Sequence, residues 1–186
     1  PWSSSGRGLR YVDVYGEGIT EHLKGWIKNV IRRQGCVMLE PFYQKVCDFG
    51  MEFYAHSNSD VSYMGLSLFN TKNGIYTGNC LASEREKIKL LTKHVGVECL
   101  ETIRQQIQSV MRIQLHGNYV GPFGVDMMAL PDGKVHPCVE LNLRRTMGHV
   151  ALNISKKIAE PGKMRILFQS GHYALHITHD DKVHLL

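Results

Sequence analysis

The sequence predicts an α+β fold, with an antiparallel sheet carrying helices on one side. Three observations point there. Strand-like runs stand at Val46–Tyr54, Val61–Phe69, Gly124–Leu130 and Val135–Leu143. The last two flank Pro131-Asp132-Gly133-Lys134, a tetrapeptide with strong turn chemistry, so they form a β-hairpin. Two stretches, after Thr20 and after Glu98, repeat apolar residues at helical spacing.

Taken in order, the chain opens on Trp2-Ser3-Ser4-Ser5-Gly6-Arg7-Gly8. Small residues and two glycines let backbone N–H groups approach an anion, and the hydroxyls add donors; a flexible terminal linker has the same composition. Leu9–Tyr15 alternates as a strand does. Thr20 then caps a helix reaching about Arg33, with Leu23, Trp26, Ile27, Val30 and Ile31 as its buried face and Gly35 as its stop. Cys36-Val37-Met38-Leu39 reads as a buried strand that breaks at Pro41, which has no N–H to give a ladder.

The strands Val46–Tyr54 and Val61–Phe69 follow, then a turn at 70–74. Ser83 and Glu86 make a capping box for a helix to about Lys93. Glu98–Leu115 is the clearest helix, with Leu100, Ile103, Ile107, Val110, Met111 and Leu115 on one face and Arg104, Gln105 and Gln108 in solvent. The hairpin comes next. After it, Val150–Ile158 is helical, Pro161-Gly162 stops it, and Arg165–Phe168 and Tyr173–Thr178 are two last strands around Ser170-Gly171.

The hairpin is where the chemistry gathers. Side chains alternate along a strand, so Glu140, Asn142 and Arg144 share one face and Val139, Leu141 and Leu143 the other. The apolar face is expected to pack on a core, leaving the polar triplet aimed at a cleft. Across the turn Asp126 falls nearly opposite Glu140. Two carboxylates and an amide oxygen are hard ligands of the kind Mg²⁺ prefers, with phosphate oxygens completing the shell. Arg144 is placed to hold a phosphate oxygen. The plainer reading is an edge hairpin in which Glu140 and Arg144 merely pair.

Composition bounds the rest. With 186 residues, 43% of them apolar, the chain can bury a real core. No apolar run approaches a membrane span, and no signal peptide opens the chain. It starts at Pro1-Trp2, without methionine, and is read as a piece of a longer protein. Cys36, Cys47, Cys80, Cys99 and Cys138 are scattered and lack metal or redox spacing, which suits a reducing cytoplasm. A formal charge of +5 permits an anionic ligand. The basic residues are dispersed among acids, which argues against a nucleic-acid partner.

The set Asp126, Glu140, Asn142 and Arg144 resembles the metal and phosphate site of the ATP-grasp superfamily, where an acidic residue on one strand precedes E-x-N-x-R by a hairpin. The resemblance implies ATP and Mg²⁺, or Mn²⁺, bound between two lobes. Residues 1–38 would be the latter half of the small lobe and 39–186 the large lobe. Ser3, Ser4, Ser5, Gly6 and Gly8 look like its phosphate loop, and Arg7 would assist Arg144 in stabilising the transferring phosphoryl group. Met38, Leu39, Glu40 and Phe42 match its adenine-binding hinge, and Asp48 the acidic residue that holds the ribose. Asp126, Glu140 and Asn142 would hold the metal.

The implied activity is that of a ligase: a carboxylate attacks ATP to give an acyl-phosphate, which an amine or similar nucleophile then displaces. The family's phosphate-binding lysine would lie before Pro1, so this segment alone is expected to be inactive and its enzymatic status stays open. A phosphotransferase using the same site, and a non-catalytic module binding a nucleotide or a partner, are the alternatives. His149 is placed either to contact a substrate or to cap the next helix. His176 and His179 fall on opposite strand faces, which disfavours a metal cluster there. The sequence leaves the oligomeric state undetermined.

Overall fold

The computed structural model describes residues 8–72 and 75–179. The chain divides into two compact units. One comprises Pro1–Tyr43 with Lys72–Ile75, the other Gln44–Thr71 with Tyr76–Leu186.

The first unit holds one helix, α1 (Glu21–Gln34). The Thr20 side chain accepts from the Leu23 N–H, and Gly35 closes the other end in the left-handed conformation (φ 82°), its N–H bonded to the Ile31 carbonyl. Both ends follow the sequence. Its apolar stripe does not, because no residue of α1 is buried. The strand expected over 9–15 is absent too. The Asp13 carboxylate accepts from the N–H groups of Tyr15 and Gly16, and the Asp13 carbonyl from Gly18, so the chain turns there. Cys36–Leu39 is irregular and exposed, not a buried strand. What order this unit has comes from local pairs: Arg10 lies over the Trp26 ring at 5.2 Å, and Tyr11 meets Phe42 edge-on at 5.4 Å.

The second unit is organised by strands β1 (Cys47–Ala55), β2 (Val61–Lys72), β3 (Ile75–Leu81), β4 (Gly121–Ala129), β5 (Val135–Asn142), β6 (Gly162–Gln169) and β7 (His172–His179). They form one seven-stranded sheet in the order β5-β4-β1-β2-β3-β6-β7. Its helices are α2 (Glu84–Leu91), α3 (Val97–Gln114) and α4 (Met147–Ser155). The α+β class is as the sequence predicts, but the helices are not on one side: α3 lies on one face of the sheet and α4 on the other.

Alternation sorts the central strands cleanly. Phe49, Met51 and Phe53 of β1, Leu66 and Leu68 of β2, and Phe123, Val125 and Met127 of β4 make an apolar core with Leu100 and Ile103 of α3. Phe53 and Phe123 stack at 5.2 Å. The other face carries Gly50, Glu52, Ser67, Gly124 and Asp126, and α4 lies against it through Gly148. Ala151 of α4, Leu81 and Met164 form a smaller core.

The start of α2 is as the sequence predicts, whereas α4 begins at Met147, three residues before the expected Val150. Ser83 and Glu86 form the expected capping box on α2, and Thr146 and His149 form another on α4. Gln108 departs from its expected place in solvent: part-buried, it donates to the Val61 carbonyl at 2.6 Å and ties α3 to β2.

One register irregularity was not foreseen. Between Glu52/Phe53 of β1 and Gly65/Tyr63 of β2 the ladder slips, with Met64 as the extra residue. Two α2 side chains take up the loosened backbone: Glu84 accepts the Leu66 N–H at 3.0 Å, and Lys87, only 1% exposed, donates to the Leu66 carbonyl at 2.9 Å. Burial holds the Lys87 ammonium below its usual pKa.

Candidate functional site

The hairpin β4–β5 turns through 131–134, with Gly133 at φ 77°. Asp126 is the direct cross-strand partner of Glu140, and Gly124 of Asn142. Cross-strand partners project from the same face, so the two carboxylates stand side by side with Asn142 next along β5. Toward the turn the ladder slips between Asp126 and Met128. Pro137 lies in that interval and has no N–H to pair, which accounts for the irregularity.

A relay of hydrogen bonds links the set. Arg144 Nη2 donates to Asn142 Oδ1 at 2.7 Å, and Asn142 Nδ2 donates to Asp126 Oδ2 at 3.1 Å. Arg144 itself lies past the end of β5 and still reaches back to it. On the other side Asp126 faces Gly50, where a Cβ would meet Asp126 Oδ1 at 3.3 Å; the glycine leaves the carboxyl its space. Burial, then the negative charges of Glu52 and Glu140, push the Asp126 carboxyl up to about 7, against the pull of Asn142 and Arg144. A group so placed gains from a nearby cation.

The apolar half of the expectation needs correction. Val139, Leu141 and Leu143 were expected against a core, yet all three are exposed, and Asn142 is the buried residue of the strand. β5 is the last strand of the sheet, and the core under α3 reaches only its first residue, Val135, and not Val139, Leu141 or Leu143.

Glu52 was missed in the sequence. It is 2% exposed on β1, and three glycines close around it. A Cβ on Gly124 would come within 2.5 Å of Glu52 Oε2, one on Gly148 within 1.8 Å of Oε1, and one on Gly50 within 3.8 Å of Oε1. Glu52 Oε2 accepts from Thr146 Oγ1 at 2.8 Å and lies 2.9 Å from His149 Nδ1. His149 Nε2 stands 3.2 Å from the Phe53 carbonyl; a carbonyl only accepts, so that nitrogen carries hydrogen. Its Nδ1 is 3.3 Å from the Thr146 N–H, completing the cap of α4. His149 is thus buried in a cap and fastens the start of α4 to β1. The available signal was Gly50 two residues before a glutamate inside an apolar strand.

The remaining expected residues distribute as follows. Asp48 lies on β1, on the face of Gly50 and Glu52, where Lys45 pairs with it and Thr71 Oγ1 donates to it at 2.6 Å. Met38, Leu39, Glu40 and Phe42 belong to the first unit and are exposed; Gly8 is there as well, at φ 113°. Ser3, Ser4, Ser5, Gly6 and Arg7 lie outside the described residues. His176 and His179 sit on β7, at the far end of the sheet from the hairpin.

Among the described residues no three His, Cys, Asp or Glu side chains converge as a metal cluster. A cation here would rest on two carboxylates plus the Asn142 amide, an oxygen set that suits a hard divalent ion sharing its shell with phosphate and water. Among the described residues no helix is long and apolar enough to cross a membrane.

No family model matches the chain, and no curated protein matches it. Solved structures do. A protein of Archaeoglobus fulgidus described as of the ATP-grasp superfamily shares 16% identity over 75% of this chain and 47% of its own, with a TM-score of 0.49. Biotin carboxylase from Campylobacter jejuni, in a β-γ-ATP complex, shares 9% over 77% of this chain and 35% of its own, at 0.48. N5-carboxyaminoimidazole ribonucleotide synthetase from Thermus thermophilus shares 12% over 80% and 42%, at 0.46. The chain spans less than half the length of each.

Proposed function

We propose that the second unit is the metal- and phosphate-binding part of an ATP-dependent ligase, in which a carboxylate is activated as an acyl-phosphate for attack by an amine or similar nucleophile. The observation that carries the reading is the cross-strand pair Asp126–Glu140 with Asn142 and Arg144 in relay beside it. Asp126, Glu140 and Asn142 would hold Mg²⁺. When bound, the ion withdraws negative charge from the phosphates.

The Asp126 carboxyl, pushed up to about 7, holds its proton more tightly than an ordinary carboxyl, so cation binding there would be coupled to proton release near neutral pH. Arg144 would give up its contact with Asn142 Oδ1 to hold a phosphate oxygen, leaving that amide oxygen able to meet the ion. Asp48 takes the ribose hydroxyls in place of Thr71. The Glu52–Thr146–His149 assembly fixes the segment that carries Arg144 at its C-terminal end.

Titration of the chain with a fluorescent ATP analogue, with and without Mg²⁺, tests this. Binding is expected to require Mg²⁺, and Asp126→Asn and Glu140→Gln should each weaken it by at least about tenfold, equivalent to ~1.4 kcal/mol. Gln105→Ala, on the exposed side of α3, should change nothing. Binding that is Mg²⁺-independent, or equal in both carboxylate variants, would overturn the reading.

A further inference from the structure

The sheet ends differently on its two sides. At one end β5 carries Pro137, an irregular ladder and the exposed charge of Glu140, which are devices that prevent another strand from adding on. At the other end β7 reads His-Tyr-Ala-Leu-His-Ile-Thr-His, with no proline and no Lys, Arg, Asp or Glu. It is a straight eight-residue partner of β6, paired from Gly162↔His179 to Gln169↔His172, and among the described residues its outer edge has no neighbour in the sheet. One face of the β6–β7 ribbon is apolar beyond Met164: Ile166, Phe168, Tyr173, Leu175 and Ile177, with Phe168 63%, Tyr173 76% and Leu175 49% exposed.

The turn determines which backbone groups are available. Ser170 and Gly171 both have positive φ, 50° and 84°, making a two-residue hairpin loop closed by Gln169↔His172. Such a loop closes on a hydrogen-bonded pair, so His172, Ala174, His176 and Thr178 direct their N–H and C=O toward β6. Tyr173, Leu175 and Ile177 direct theirs outward. The residues with outward backbone groups are therefore the same ones that carry the apolar face.

That coincidence makes the strand self-complementary. We propose that β7 pairs antiparallel with β7 of a second copy of this chain, about a two-fold axis at Leu175. In this register Leu175 faces its own counterpart and Tyr173 faces Ile177 in both directions. Each of these is a pair of outward-bonding residues, and each apolar side chain meets an apolar one. Sliding the register two residues toward the C-terminus would set His176 against His176 and Tyr173 against His179.

The two sheets join into one across the axis, with Phe168 and Ile166 continuing the apolar surface. Of the apolar side chains on this face only Tyr173, Leu175 and Ile177 stand at the junction itself, and at 76%, 49% and 38% exposed they offer at most on the order of 300 Å² per copy. A standard interface takes about 800 Å² per partner, which places this dimer among the small, weak ones, with the main-chain ladder as its chief attraction.

Sedimentation over a range of concentrations tests it. Wild type should pass from monomer to dimer as concentration rises. Leu175→Lys should stay monomeric with unchanged circular dichroism and melting, since Leu175 supports no core. Val139→Lys on the β5 edge should dimerise as wild type does. With Cys36 and Cys138 replaced by Ser, Leu175→Cys should crosslink readily through a short bis-maleimide. Thr178→Cys should not, being offset six residues, or ~20 Å, from its counterpart.

A monomer at every concentration overturns the proposal. So does a dimer that survives Leu175→Lys, one abolished by Val139→Lys, or equal crosslinking at 178 and 175. Failure of Leu175→Cys to crosslink in a longer chain containing these residues would assign the face to that chain's own further segments, and would overturn it equally.

Discussion

Helices α1 and α3 carry the same message in their sequences and meet different fates. Each repeats apolar residues at helical spacing. α3 buries Leu100 and Ile103 against three strands, whereas α1 buries nothing. The units they belong to differ in the same way. Residues 44–179 contain a sheet with both faces in use, the apolar one under α3 and the polar one under α4. Residues 8–43 hold together through caps, an Asx turn and two ring contacts. Periodicity specifies a helix and its intended inner face, but burial requires a second surface, which is a property of the assembled chain.

The largest effect that would sharpen this contrast is at Phe53, fully buried and stacked on Phe123. Phe53→Ala should cost about 3–5 kcal/mol, read as a lower denaturant midpoint. If the loss is below ~1 kcal/mol, the second unit is not the cooperative core described, and the contrast with the first unit collapses.

The next prediction concerns the polar face, through pH. The Asp126 carboxyl has its ordinary value, 3.8, in the unfolded chain and about 7 in the folded one. An acid with a raised folded pKa binds its proton more tightly when folded. Its stabilising contribution is full below about pH 4 and is lost as pH rises through about 7. Asp126→Asn cannot titrate, so the difference in melting temperature, wild type minus variant, should fall from pH 5 to pH 8. Saturating Mg²⁺, if it binds there, should flatten that fall by favouring the carboxylate. A difference that stays flat over the same interval would show that Asp126 is already ionised in the folded chain, and that the crowding by Glu52 and Glu140 is compensated.

How much of this was legible follows from the range over which each feature is encoded. The hairpin was, because its turn and both alternating strands are contiguous; counting on from Ala129↔Val135 sets Asp126 on the face of Glu140 but against Cys138, and the slip at Pro137 brings Glu140 opposite. Both ends of α1 and the box on α2 were legible for the same reason. The pocket around Glu52 was not. Gly50, Gly124 and Gly148 come from β1, β4 and α4, and no local pattern announces that they meet on one carboxylate. The strand expected at 9–15 failed because Asp13 offers its neighbours' N–H groups a nearer partner than a ladder. Val139, Leu141 and Leu143 alternate correctly and still face outward, since alternation says which residues share a face and not whether that face is covered.

The smallest expected effect is the most discriminating for the first unit. Ile31 sits in the last turn of α1 and is 43% exposed, with its carbonyl already bonded to the Gly35 N–H. Ile31→Ala removes an apolar side chain that rests on no core and replaces a β-branched residue with the best helix former. The two consequences oppose each other and each is small, so global stability should move by less than about 0.5 kcal/mol. Ile103→Ala, the corresponding change in α3, should cost about 2–5 kcal/mol. Amide hydrogen exchange separates the two helices further. Amides of α1 should exchange through local opening, since a fourteen-residue helix without tertiary packing is marginal in water, and Ile31→Ala should leave that rate nearly unchanged. Amides of α3 should exchange only with global unfolding, and Ile103→Ala should accelerate them in proportion to the lost stability. Protection of α1 equal to that of α3, or a loss of 2 kcal/mol or more on Ile31→Ala, would mean that α1 has a packed inner face in solution. The sequence pattern would then have been right about burial as well as about the helix.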